Sequence, residues 1–212
     1  MLGGALRESS ARAAAAFAIG ATALTLDQLG PWFPHGNAAR IAIGLAATAA
    51  LLALARGDRE SVGLRFAPAQ GWRWWLKATL VVGVVFGMAL VAWFALEWAL
   101  KGSVDVVRAP YSLDLADVVH GLLVAPLVEE PLYRVALCVP LAALVDRRIA
   151  IVASGVAFAL LHVRYGNAGP TNMLAGFVLG WAFVKSRSLA LPMLLHALGN
   201  ACVFTWWRLH GA

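Results

Sequence analysis

Apolar runs of membrane-spanning length follow one another along the chain, separated by short breaks rich in Arg, Gly, Pro and Asp. A membrane helix needs about 20 mostly apolar residues. The pattern predicts such helices near 12–29, 38–55, 73–100, 114–145, 149–163, 171–185 and 189–208. The expected fold class is therefore all-α, a polytopic transmembrane helix bundle of about seven helices, or eight if 114–145 splits. That segment carries Pro126, Pro131 and Pro140. Pro140 is expected to end or bend it, because proline lacks the N–H that an α-helix needs and its ring meets the preceding turn. The first apolar run lacks a clear cleavage site at its end and reads as a membrane helix rather than a leader.

Composition narrows the class. The 212 residues are 61% hydrophobic and 13% charged, against about 45–50% and about 25% for a soluble chain. The net charge of +6 does not point to nucleic acid, because the basic residues are scattered between apolar runs rather than gathered on one face. They fit an orientation signal instead. Arg7, Arg12, Arg56, Arg59, Arg65, Arg73, Lys77, Arg147, Arg148, Lys185 and Arg187 fall in one set of alternate loops and outnumber Arg40, Lys101, Arg108, Arg164 and Arg208 in the other. By the positive-inside rule the N-terminus is cytosolic and the C-terminus outside. The expected location is a bacterial cytoplasmic membrane, with the lipid bilayer as partner.

Tryptophans such as Trp32, Trp72, Trp98 and Trp206 fall near segment ends, as interfacial belts do. The longest loop, "RGDRESVGLRFAPAQGW" at 56–72, is expected along the cytosolic interface. Gly83 with Gly87, and Gly176 with Gly180, are small residues four apart and are expected to serve close helix packing. Cys138 and Cys202 lie in apolar segments and show no metal spacing. No internal repeat is evident, which argues against an inverted-repeat transporter.

Ionisable groups at membrane depth cost about 2.5–3.5 kcal/mol each even on a lenient scale, so each one asks for a function. Away from segment ends these are Glu129, Glu130, Arg134, His162 and His196, with the amide Asn200; His120 is a weaker candidate. Asp27 and Glu97 lie near segment ends and read as interfacial. Glu130 and Arg134 are four apart and can pair on one helix face. Glu129 is rotated by roughly 100° from Glu130 and stays without that partner. Pro131 loosens the helix beside both. His196 and Asn200, also four apart, point the same way. Phe158 sits one turn before His162 and can pack behind it.

If these helices converge, Glu129 can activate a water and His162 can place it or shuttle its proton. His196 and Asn200 can then donate to a developing oxyanion. Depth is the difficulty. At about 1.5 Å per residue from the loops, His196 lies about 10 Å deep, whereas Glu129 and His162 lie at about 20–25 Å.

In order along the chain, Glu129-Glu130-Pro-Leu-Tyr-Arg134, Phe158-Ala-Leu-Leu-His162 and His196-Ala-Leu-Gly-Asn200 fit E-E-x-x-x-R, F-x-x-x-H and H-x-x-x-N. This part of the chain, about 114–205, resembles the CPBP family of intramembrane proteases, named for CAAX proteases and bacteriocin-processing enzymes. The resemblance implies an all-helical endopeptidase of membrane proteins or peptides in which Glu129 activates water and His162, His196 and Asn200 line the same cavity. It divides the chain into N-terminal membrane helices with a cytosolic loop (1–110) and a CPBP-like catalytic bundle (111–212). The glutamate mechanism is favoured and no cofactor is expected, since the chain has no H-E-x-x-H pair. Two alternatives stay open: a zinc-dependent protease with Glu129, His162 and His196 as ligands, and a non-enzymatic proton-coupled transporter or helper subunit.

Overall fold

The computed structural model describes residues 1–31, 36–103, 114–167 and 169–210. Trp32 and Arg108, which entered the reading above, lie outside the described residues. The architecture is helical, with an isolated antiparallel bridge pairing Leu64 with Ser188. We number the long helices α1 (Ser10–Leu29), α2 (Asn37–Leu54), α3 (Trp72–Lys101), α4 (115–144), α5 (Arg147–Arg164), α6 (Pro170–Ser186) and α7 (Ala190–His210). Of these, α2 and α3 are long and apolar enough to cross a membrane by length and composition.

Local sequence explains the ends of these helices. Asp114 starts α4 with a capping box: its carboxylate accepts from the Asp117 N–H, and the Asp117 carboxylate accepts from the Asp114 N–H. Asp146 breaks α4 from α5 and caps the latter, its Oδ1 accepting from the Arg148 N–H at 2.6 Å. At the far end of α5, Gly166 takes a positive φ of 76°. The Gly166 N–H reaches the Val163 carbonyl and the Asn167 N–H the His162 carbonyl, so the orphan carbonyls of the last turn are satisfied.

α4 is the central helix, and it is not a simple α-helix. It is α-helical at Leu115–Val119, Ala125–Glu130 and Val139–Leu144 and π-helical at His120–Val124 and Pro131–Cys138. Prolines 126, 131 and 140 each remove one i→i−4 bond, and the backbone relaxes to the wider i→i+5 pattern nearby. Pro140 therefore neither ends α4 nor splits it, since the helix continues to Leu144. The carbonyl of Ala136, which Pro140 cannot serve, faces Gly20 of α1 so closely that a Cβ at Gly20 would overlap it.

α1, α2 and α5 pack around the second π stretch of α4, where Leu132, Tyr133, Arg134, Val135, Ala136 and Cys138 are buried. One apolar core joins Leu2, Leu6, Leu51, Val62, Val139 and Phe183. A second joins Ala23, Ala47, Tyr133, Phe158 and Leu161. α5 and α6 approach closely because Gly155 leaves room for the Phe177 ring and Gly176 for Phe158. Gly180 makes ordinary contacts with Ile151. At the other expected pair, Gly83 and Gly87, a would-be Cβ meets no atom within 4 Å among the described residues. Both lie on α3, which stands apart from the bundle with Leu80, Val84, Met88 and Val91 exposed. It touches the bundle through Trp75 against Trp181 and Phe94 stacked on Trp206.

The 56–72 loop does more than line an interface. Ser61 and Val62 are buried, while Phe66 points outward. The loop straps the α6–α7 turn: the Arg65 N–H donates to the Arg187 carbonyl, Ala69 N–H to Ser186, and Leu189 N–H to Gly63 at 2.7 Å. Ser186 and Ser188 are consequently fully buried. Glu60 pairs with both Arg65 and Arg187 along the rim of this strap.

Candidate active site

Glu129 and Glu130 close the last α-helical turn of α4 before Pro131. Adjacent on the helix, they diverge as the sequence predicts. Glu130 is fully buried and doubly engaged by Arg134, with Nε to Oε2 at 2.7 Å and Nη2 to Oε1 at 3.4 Å. Arg134, also fully buried, donates through Nη1 to the Ser154 hydroxyl and to the Gly176 carbonyl. The Ser154 hydroxyl in turn donates to the Tyr133 carbonyl at 3.0 Å. The Arg134 guanidinium also lies over the Phe158 ring, 5.1 Å from its centroid. A guanidinium with its donors engaged and a π face beneath it tolerates burial that a lone cation could not.

Glu129 is different. It is 6% exposed, and its Oε2 is buried with no hydrogen-bond partner among the described residues. A carboxylate oxygen in that state is costly to the fold.

α7 brings His196 to both carboxylates. Its Nδ1 lies 2.9 Å from Glu130 Oε1, and its Nε2 lies 4.0 Å from Glu129 Oε2. The expected depth mismatch is thus absent. The turn before α7 is bonded to the 61–70 strap, with Ser186 and Ser188 buried.

His162 of α5 is 7% exposed. Its Nδ1 lies 2.9 Å from the Phe158 carbonyl, which places a proton on Nδ1; in the neutral ring Nε2 is then the acceptor. Phe158 packs behind His162 at 4.4 Å between ring centroids and meets His196 edge-on at 5.8 Å. Asn200, one turn beyond His196, donates to the Gly121 carbonyl at 2.7 Å in the first π stretch of α4. His120, the weaker candidate, is exposed. The structure therefore gathers Glu129, Glu130, Arg134, His162 and His196 around Phe158, with Asn200 bound to α4 nearby.

Several polar groups at the site were missed. Ser154 shares a face with Phe158 and His162, three residues spaced by four, and that spacing was a legible signal. Asp27 is fully buried rather than interfacial, because Arg40 of α2 pairs with it at 2.6 Å. Glu97 pairs with Lys101 on α3.

Among the described residues no group of three or more His, Cys, Asp or Glu is placed to hold a metal ion. Glu130 is occupied by Arg134 and His196, and His162 Nδ1 by a carbonyl. These contacts engage Nδ1 of His162 and of His196 and leave each Nε2 outside them, and no step below passes through a metal.

No curated protein and no solved structure matches the chain. Residues 111–202 do match the family model described as Rce1-like, type II CAAX prenyl endopeptidase Rce1-like. That stretch contains the whole cluster from Glu129 to Asn200, and the match is consistent with the resemblance to the CPBP/CAAX proteases.

Proposed function

We propose that this chain is an integral membrane endopeptidase that hydrolyses a peptide bond of a membrane-associated protein or peptide, using a water activated by Glu129. The observation that carries the reading is the Glu129 carboxylate. Its Oε2 is buried and accepts no hydrogen bond among the described residues, while its neighbour Glu130 is held fast by Arg134. The family match supports the reaction class. Nothing in the residues is specific for a prenyl group, so the substrate is assigned only as membrane-associated.

In this mechanism Glu129 takes a proton from water as the water oxygen bonds to the scissile carbonyl carbon. His162, with Nε2 as acceptor, orients that water. The developing oxyanion accepts hydrogen bonds from His196 and the Asn200 amide, the latter turning from Gly121. Collapse breaks the C–N bond, and the proton held by Glu129 passes to the leaving amine. The products are a carboxylic acid and an amine, which exchange a proton to leave as carboxylate and ammonium, and Glu129 is regenerated. Glu130, Arg134 and Ser154 touch no reacting atom in this scheme and hold His196 and α4 in place. The charge pattern of the loops supports a cytosolic N-terminus and an outside C-terminus.

Comparative proteomics tests the reading. Cells carrying the wild-type chain are compared with cells carrying Glu129→Gln, and an uncut membrane-associated precursor is expected only in the latter. Identical peptide termini in both would remove the proposed activity.

A further inference from the structure

A second buried charge cluster lies beside the first, and the mechanism above does not use it. Asp27, in the last turns of α1, and Arg40, in the first turn of α2, form a two-pronged ion pair. Nε meets Oδ1 at 2.6 Å and Nη2 meets Oδ2 at 3.1 Å, both residues almost fully buried. Gln28 braces it, its Nε2 donating to Asp27 Oδ2 at 2.6 Å and to the Tyr133 hydroxyl at 3.2 Å. Arg40 Nη1 donates to the Tyr165 hydroxyl, and its Cζ lies 5.8 Å from that ring's centroid.

Both tyrosines lead to the site. Tyr165 meets the His162 ring edge-on, at 6.1 Å and 84°. Tyr133 meets Phe158 edge-on, at 5.8 Å and 81°, and the Phe158 carbonyl is the acceptor for His162 Nδ1. From the α1–α2 corner, one arm therefore ends on His162 and the other on the residue that fixes it. A buried ion pair is a weak source of stability compared with apolar packing, because desolvation offsets much of the attraction. This one joins two helices outside the family-matched stretch to the ring proposed to orient water.

We propose that Asp27, Gln28 and Arg40 are positioning residues for the hydrolysis, holding His162 through Tyr165 and Tyr133 so that Nε2 meets the reacting water. The inference rests on the peptidase reading of Glu129 and His162. It makes α1 and α2 part of the working site. Because proximity and orientation govern so much of a rate, loosening this corner lowers turnover more than binding.

The test uses the full chain in liposomes with a fluorogenic membrane peptide that the wild type cleaves. Tyr165→Phe keeps the ring and loses the hydroxyl, and Asp27→Asn keeps the shape and loses the charge. Each is expected to lower kcat about tenfold while leaving KM nearly unchanged, the misplacement penalty falling on the transition state. Asp27→Asn can also weaken the fold, so Tyr165→Phe, with the wild-type melting temperature, decides. A readout independent of turnover accompanies it. The ¹⁵N spectrum of His162, assigned with His162→Gln, is expected to show one Nδ1-protonated tautomer in the wild type and an exchange-averaged pattern in Tyr165→Phe. Wild-type kcat in Tyr165→Phe, or an unchanged His162 spectrum, overturns the inference and leaves the peptidase reading intact. A wild-type protein that cleaves no peptide overturns that reading itself, and the spectrum then reports the positioning geometry alone.

Discussion

His196 joins two neighbouring carboxylates through its two ring nitrogens, Nδ1 at 2.9 Å from Glu130 Oε1 and Nε2 at 4.0 Å from Glu129 Oε2. Because Glu130 is already held by Arg134, the imidazole is oriented by the carboxylate that is committed and presented to the one that is not. This division of labour makes the adjacent glutamates experimentally separable.

Glu129→Gln is isosteric and removes only the proton acceptor. General-base catalysis is worth about 10²–10⁴-fold, so cleavage of a membrane peptide is expected to fall by at least about 100-fold. The melting temperature is expected to hold or rise, because an unsatisfied carboxylate has been neutralised. A kinetic assay paired with thermal unfolding in detergent checks both halves.

Arg134→Leu has the opposite profile. It leaves Glu130 charged and buried with only His196 beside it, and breaking a buried pair from one side costs about 3–5 kcal/mol. Arg134→Lys is expected to recover little, since an ammonium cannot reproduce the fork onto Glu130 together with the contacts to Ser154 and Gly176. Unfolding curves of the two variants, compared with Glu130→Gln, report the difference.

Two glycines on different helices are expected to behave in opposite ways. Gly20→Ala drives a Cβ into the Ala136 carbonyl, and overpacking of this kind costs about 1–3 kcal/mol. Gly83→Ala meets nothing and gains about 0.5–1 kcal/mol of helix preference. Melting temperatures of the two single variants check the signs.

The strap responds to acid. The Asp58 carboxyl sits below its ordinary value of 3.8 because it accepts from the Ser61 hydroxyl at 2.6 Å and from the Ser61 and Glu60 N–H groups. A carboxylate with a lowered folded pKa contributes stability above its unfolded value and loses it as pH falls through the folded one. Amide hydrogen exchange across residues 58–64 is expected to stay slow down to about pH 4 and to quicken below it, a change that Asp58→Asn abolishes.

Chelation separates the glutamate mechanism from the zinc alternative. Dialysis against a strong chelator is expected to leave the rate unchanged, and added zinc is expected not to raise it. A rate lost to chelator and restored by stoichiometric zinc would return Glu129, His162 and His196 to the role of ligands.

The helical segments were legible because each apolar run is a local property of the chain, and Glu130 with Arg134 was legible because helix geometry alone puts residues four apart together. The π stretches were not deduced, although Pro126, Pro131 and Pro140 announce missing N–H groups. Proline states what the backbone loses, and only packing against α1 and α5 decides how it compensates. Asp27 and Arg40 were misjudged because position near a segment end suggests water, whereas burial is set by what another helix places there. That His196 meets Glu129 was not legible either, because the turn before α7 is bonded to a loop far away in sequence.

That strap bears on modularity. The turn that leads into α7 is bonded to Gly63, Arg65 and Ala69, which lie more than a hundred residues upstream of His196 and outside the family-matched stretch. A chimera grafting residues 111–202 onto foreign N-terminal helices would keep every motif residue and lose their common level. Insertions of one or two residues in the 58–71 loop would act as a vernier on the distance between His196 and Glu129.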